Sequence, residues 1–219
     1  MNTLVVVPFV DEPEATIECI NGVMSDSVGV CICAISDGSV SSSLKRIINC
    51  IRKDHDGLIF IDNVDTKGIA SAWNTGLQLF HNRKELEYVC FLHNDTVPKD
   101  GWLTELRLAF DVNNNIGAVF SSQGLSSGRY AEMDYDSVLD LPGYCFMLSR
   151  DIVERFGRFE MFEVRPELEY FSRMVDEDVR FIEARRSFVE HKGQVTTSKL
   201  WTMPEYLERF QKVVDTIKT

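Results

Sequence analysis

Phe91-Leu92-His93-Asn94-Asp95-Thr96 closes an apolar run that begins at Tyr88-Val89-Cys90 and then turns abruptly polar. The run reads as a buried strand that releases a carboxylate, Asp95, at its C-terminal end. Open α/β sheets hold their ligands in the crevice beyond such strand ends. Working outward, Leu4–Phe9, Val28–Ile35 and Leu58–Ile61 are further apolar runs, separated by helical patterns at Glu12–Met24, Ser42–Lys53 and Gly68–Phe80. Strand and helix alternating in this way predict an α/β domain with a mostly parallel central sheet and helices on both faces.

Beyond the polar tip, Asp100–Asn113 fits a helix, Ile116–Ser121 and Gly143–Leu148 fit strands, and Arg150–Phe156 fits a short helix closed by Gly157. From Ser122 to Leu139 the pattern lapses. Gly124, Ser126, Ser127 and Gly128 are followed there by Glu132, Asp134 and Asp136, with Asp140 just beyond. A long irregular stretch inside a compact domain is commonly a lid or binding loop, and that role is expected here. Asp176–Arg186 reads as a helix, Phe188–His191 as a short strand, and Met203–Ile217 as an amphipathic helix. In that last helix Leu207, Phe210, Val213, Val214 and Ile217 share one face. Its polar face mixes acids with bases, which suits docking on the domain or a partner subunit better than lying on a membrane.

The chain has 219 residues, a length that suits one domain spanning 1–219. Its formal charge of -11 opposes nucleic acid and anionic lipid over most of the surface, so nucleic acid is not an expected partner. An anionic small molecule is still admissible, because a divalent cation reverses the sign locally. Six cysteines lie mostly within apolar runs, with no C-x-x-C pair, which fits free thiols in a reducing compartment. No stretch resembles a signal peptide or is long enough to span a bilayer, so a soluble, cytoplasmic protein is expected.

Several polar groups fall at strand ends. The first strand finishes in Val7-Pro8-Phe9-Val10, and the second delivers Ser36-Asp37-Gly38-Ser39. Asp37 either accepts hydrogen bonds from a base or ribose, or simply belongs to a turn, for which Asp and Gly are favoured. In the stretch from Asn63 through Lys67, Gly68, Ala70 and Ala72 to Asn74 and Gly76, small residues open a helix and permit close backbone approach. Lys67 is placed to meet a phosphate, although a solvated lysine is the default reading. The phosphate-loop and dinucleotide glycine patterns are both absent. Asp95 is the first candidate ligand for a hard divalent cation carried with a diphosphate. His93 either ligates or borders the ribose, and Asn94 completes the turn. Asp176-Glu177-Asp178 exceeds what capping a helix needs, since three consecutive acids repel one another. His191 follows in Glu190-His191-Lys192-Gly193.

In this order the pieces resemble the inverting nucleotide-sugar transferases of the GT-A fold, family-two type, from about Leu4 to His191. Val5-Val6-Val7-Pro8 resembles their opening strand and Ser36-Asp37-Gly38-Ser39 their "D-x-S" base-binding turn. The segment Gly68 to Gly76, with Asn63 before it, is similar to "N-x-G-x-x-x-A-x-N-x-G". Phe91 to Thr96 resembles the strand carrying the D-x-D-type motif, with His93 where an acid or Asn is commoner. Gly143 to Arg150 with Gly157-Arg158-Phe159 resembles the acceptor-side "G-x-x-x-x-x-R…G-x-F". Glu177-Asp178 matches the "E-D" pair and His191 a histidine that completes the metal site.

The resemblance implies a GT-A domain with a nucleotide-sugar-binding half at 1–121, an acceptor-side half at 122–200 and a C-terminal helix at 201–219. It implies that Pro8, Phe9, Asp37, Asn63, Lys67, Gly68, Asn74, His93 and Asn94 meet a UDP-, GDP- or TDP-linked sugar. Asp95 and His191 would hold Mn²⁺ or Mg²⁺, and Asp178, beside Glu177, would take the proton of a glycan or other hydroxyl acceptor. Two other readings share the fold: a non-catalytic sugar-nucleotide or carbohydrate-binding module, and a transferase acting on modified DNA bases. A sugar-phosphate nucleotidylyltransferase is disfavoured, because no glycine-rich, arginine-containing loop follows Val7-Pro8.

Overall fold

A computed structural model describes residues 3–26, 30–124, 128–133, 141–162, 164–175, 177–193 and 204–217. Part of the expected binding loop (125–127 and 134–140), Asp176 and the start of the last helix lie outside the described residues. In chain order the elements are β1 (Thr3–Phe9), α1 (Pro13–Asp26), β2 (Cys31–Asp37), α2 (Ser42–Asp54), β3 (Leu58–Asn63), α3 (Ile69–Asn82), β4 (Tyr88–Leu92) and β5 (Thr96–Pro98). They continue with α4 (Trp102–Val112), β6 (Ile116–Ser122), β7 (Tyr130–Glu132), β8 (Cys145–Ser149), α5 (Arg150–Phe156), α6 (Pro166–Val175), β9 (Arg180–His191) and α7 (Pro204–Ile217).

The strands form one mixed sheet in the order β3-β2-β1-β4-β8-β6-β9-β5, with β7 also paired to β9. The first four are mutually parallel, and β8 lies antiparallel between β4 and β6. β4 and β6 therefore run the same way, and the C-terminal ends of β1, β2, β3, β4 and β6 all reach one edge. Side chains alternate across β1: Val5, Val7 and Phe9 enter a core built with α1, α2 and α4. Leu4 and Val6 enter the opposite core, built with α3, α5 and α6. Helices thus cover both faces, as the strand–helix alternation predicts.

One expected helix is a strand. Residues 180–191 form the 12-residue β9, not the second turn of a helix over 176–186. Its neighbouring side chains show why, since Phe181 enters one core while Ile182 and Ala184 enter the other. A strand sends successive side chains to opposite faces and a helix does not. The backbone also has ladder partners available, with β6 running parallel on one side and β7 antiparallel on the other. Conversely α6 occupies a stretch expected to be loop. Pro166 stands at its first position, where the missing N–H costs nothing, and Glu167 and Glu169 fall in its first turn. Leu168, Phe171 and Met174 supply its buried stripe.

Close packing of α3 on β1 depends on Gly76. A Cβ there would lie 2.6 and 2.7 Å from the two Val6 methyls, and Val6 is fully buried. Gly76→Ala gains roughly 1 kcal/mol of helix propensity, but overpacking a core costs roughly 1–3 kcal/mol. The clash should win, and Gly76→Ala should lower the urea midpoint. A midpoint at or above the wild-type value would show that β1 and α3 can separate freely.

Candidate active site

At the end of β4 the chain must turn sharply, because Phe91 and Leu92 are wholly buried while Asn94 is partly open. His93 N–H donates to the Tyr144 carbonyl at 2.9 Å, extending the β4–β8 ladder by one bond. Thr96 Oγ1 then donates back to the His93 carbonyl at 2.6 Å and closes the turn around Asp95. The next three residues are β5, which pairs antiparallel with the far end of β9 and sets Thr96 opposite His191. Lys192 N–H donates to the Asp95 carbonyl at 3.0 Å, locking the same register.

This pairing brings together side chains almost a hundred positions apart. His191 Nε2 stands 3.2 Å from Asp95 Oδ1. One ligand atom from each of His93, Asp95 and His191 can lie within 4.8 Å of the others. Burial pushes the His93 imidazole below its ordinary range and favours the neutral ring, against the opposing pull of the Asp95 and Glu167 charges. Burial alone would raise the Asp95 carboxyl, but the His191 hydrogen bond and the fields of His93 and His191 outweigh it and leave it lowered. A neutral imidazole beside an ionised carboxylate is the protonation state a divalent cation requires. With two nitrogens and one oxygen donor, a cation would still need oxygens from elsewhere, which a diphosphate and water can provide. The three residues fit a metal.

The acid nearest the cluster from the other half of the chain is Glu167, in the first turn of α6. It is 4% exposed, and its charge reaches His93. Arg165 Nε pairs with Glu167 Oε1 at 3.0 Å and also donates from its terminal nitrogen to the Leu141 carbonyl at 3.1 Å. Gly143 makes room for this carboxylate, since a Cβ there would lie 2.7 Å from the Glu167 Cδ. Sequence reasoning missed Glu167. The available signals were Pro166, the first-turn acids and the apolar spacing of Leu168, Phe171 and Met174.

Glu177 and Asp178 are not brought to the cluster. They precede β9 and line a separate cavity of about 610 Å³ together with Tyr88 and Ile116, the first residues of β4 and β6. That is the opposite edge of the sheet, removed by the length of a seven-residue strand, on the order of 20 Å. Glu177 pairs there with Arg155. The reading of Asp178 as the residue that takes the acceptor's proton is corrected on this geometry, because β9 in its full length separates it from His191.

The expected donor-side residues divide. Asp37 is 3% exposed, and its two oxygens accept the backbone N–H groups of Lys67 and Gly68 at 2.9 and 2.8 Å. It pins the β3–α3 loop to the C-terminal edge beside Asn63, which pairs with it across β2 and β3. The Lys67 side chain is exposed on that loop, and Gly68 adopts a φ of 86° that suits glycine. Asn74 has a different task from the one expected. Its amide donates to the Phe159 carbonyl and accepts from the Phe159 N–H, at 2.9 and 3.0 Å. Asn94 donates to Thr16 Oγ1 at 2.9 Å and ties the metal turn to α1. Pro8 is buried in β1, and Phe9, 2% exposed and stacked on Phe60, belongs to the core and offers no open face to a base. Arg150, expected on the acceptor side, instead caps the end of α3 through the Phe80, Arg83 and Leu86 carbonyls.

Solved structures share this architecture. The chain aligns over 98% of its length with a mannosyltransferase from Pyrobaculum calidifontis in complex with GDP-Man and Mn²⁺, at a TM-score of 0.74 and 15% identity. It aligns over 87% with GalNAc-T7 carrying UDP, GalNAc and Mn²⁺, at a TM-score of 0.72 and 13% identity. S. aureus TarS with UDP gives 99%, 0.73 and 13%. The chain spans 64% of the first, 44% of the second and 64% of the third of these proteins. No curated protein matches the sequence itself. The model of glycosyl transferase family 2 matches residues 4–157, from β1 to the end of α5. With that match over most of its length, and with the fold of solved glycosyltransferases, the chain belongs to glycosyl transferase family 2.

Proposed function

We propose that the chain transfers a sugar from a UDP-, GDP- or TDP-linked donor to a hydroxyl of a glycan or other acceptor, with inversion. The observation that carries this reading is the cluster of His93, Asp95 and His191, with Glu167 nearby at the same sheet edge. His93, Asp95 and His191 would hold Mn²⁺ or Mg²⁺. The mixed nitrogen and oxygen donor set favours Mn²⁺, because Mg²⁺ prefers oxygen alone. The cation, when bound, supplies Lewis-acid stabilisation to the diphosphate as it leaves. Similar structures that carry GDP-Man or UDP with Mn²⁺ support the donor class.

Glu167 accepts the acceptor's proton as the acceptor oxygen bonds to the anomeric carbon. The bond from that carbon to the diphosphate breaks, and its electron pair leaves with the diphosphate. Because Glu167 comes from α6 and the metal ligands come from β4 and β9, base and leaving group are held by separate elements. That arrangement suits a single displacement from the opposite face. Asp37 keeps the Lys67–Gly68 loop at the donor side, with Asn63 and Pro8 beneath it. No helix among the described residues is long and apolar enough to cross a membrane, and the six cysteines are unpaired, which suits a reducing, cytoplasmic setting.

Glu167→Gln should lower turnover by about 10²–10⁴-fold, the usual worth of a positioned base, while Mn²⁺-dependent binding of UDP or GDP survives in a thermal-shift assay. Asp178→Asn should leave turnover near the wild-type value; the opposite pattern would reject the base assignment. Gly143→Ala should displace the Glu167 carboxylate and cost on the order of 10²-fold in kcat with little change in melting temperature. Asp95→Asn should abolish the Mn²⁺ dependence of nucleotide binding. Retained dependence in that variant would place the cation elsewhere.

A further inference from the structure

Tyr144 touches both histidine arms of the cluster, and nothing in the reaction as proposed requires it. Its carbonyl accepts the His93 N–H at 2.9 Å. Its ring lies almost parallel to the His191 imidazole, with centroids 4.9 Å apart and planes 13° apart. Its hydroxyl donates to the Ser121 carbonyl at 3.0 Å, at the end of β6. The side chain is 6% exposed, and burial holds its hydroxyl far above the usual phenol range. Tyr144 is therefore a neutral, fixed plate, anchored at its tip and through its backbone.

His191 needs such a plate. It is the last residue of β9 and borders exposed Lys192 and Gly193, so its backbone alone does not orient its ring. The Tyr144 face lies parallel to the imidazole, while His93 meets it edge-on at 5.8 Å and 73°. These contacts leave Nε2 directed at Asp95. We propose that Tyr144 is a positioning residue for the metal centre: its ring sets the rotamer of His191, and its carbonyl sets the turn that carries His93. This rests on the metal-binding reading of the cluster. Groups that orient metal ligands typically change affinity by 10–100-fold when removed. The ring should dominate over the hydroxyl, because the stack lies against the ligand whereas the hydroxyl only secures the far end.

The test is Mn²⁺ affinity of the nucleotide-free chain, followed by the loss of the free-ion electron paramagnetic resonance signal, together with the His191 ring-proton shifts in the metal-free protein. Tyr144→Phe keeps the plate and should bind within about threefold of wild type, as expected for a hydroxyl outside the ligand set. Tyr144→Leu should weaken binding by about tenfold or more and remove the ring-current displacement of the His191 protons. If Leu prevents folding, Tyr144→Met replaces it, since an unbranched side chain adapts to irregular gaps. Equal Mn²⁺ affinity in Leu (or Met) and wild type, or an equal loss in Phe and Leu, would overturn the inference. His191→Ala is the control. If the wild type takes up no Mn²⁺, the metal reading fails, and the ring shifts still decide: unchanged His191 protons in Tyr144→Leu would overturn the orienting role, and a lost displacement there with none in Tyr144→Phe would uphold it.

Discussion

The site depends on one short piece of antiparallel pairing. Three residues of β5 align with the end of β9, and this register sets His191 opposite Thr96 and therefore beside Asp95. A slip of one residue would turn His191 to the other face of the ribbon, since side chains alternate with a period of two. Two further bonds resist that slip: Lys192 N–H to the Asp95 carbonyl, and Thr96 Oγ1 to the His93 carbonyl. β9 can reach β5 because it departs from β6, where the register shifts between Ser121 and Ser122. An irregularity of this kind bends a strand and redirects its end. Without it β9 would continue alongside β6 and carry its histidine past the crevice.

Beneath this edge the aromatic side chains give the site a stiff floor. Trp73 contacts Phe91, Phe146 and Phe159, and its ring also stacks on His93 at 6.2 Å. Phe146 meets Phe171, which draws α6 onto the same cluster. Glu167 is thereby attached to the same rigid body as the histidines, although it belongs to the opposite half of the chain. The Asn74 amide clamps Phe159 through two bonds, so the segment leading into α6 is held to α3. The polar residue within the α3 pattern serves the architecture, and the catalytic edge gains its precision from that tie.

Much of this was legible in the amino-acid sequence, for reasons that particular residues make plain. The β1–β4 half could be read because each strand is an unbroken apolar run and each helix an amphipathic one, so period and length agree. Asp95 was legible because a lone acid ending such a run has few structural uses. β9 was not, because Val179, Phe181, Ile182 and Ala184 satisfy a helical period, and its ladder partners lie far away in sequence. Once that strand was read as a helix, the acids before it looked like a catalytic pair at a helix start. The acid that does open a helix beside the metal cluster, Glu167, follows a proline and a left-handed Arg165 with φ 47°. No local pattern marks it as near His93. That proximity exists only once α6 has packed on Phe146 and Phe120.

Because its parts come from distant stretches of chain, the crevice cannot form piecemeal. β4 and its turn can be complete while β9 is still unpaired, and until β9 docks there is a single acid and one imidazole, too few to grip an ion. Pairings between segments so far apart in the chain close late and slowly during folding. A nascent or partly unfolded molecule would thus be unable to consume an energy-rich donor, and competence would appear only with the last strand's arrival.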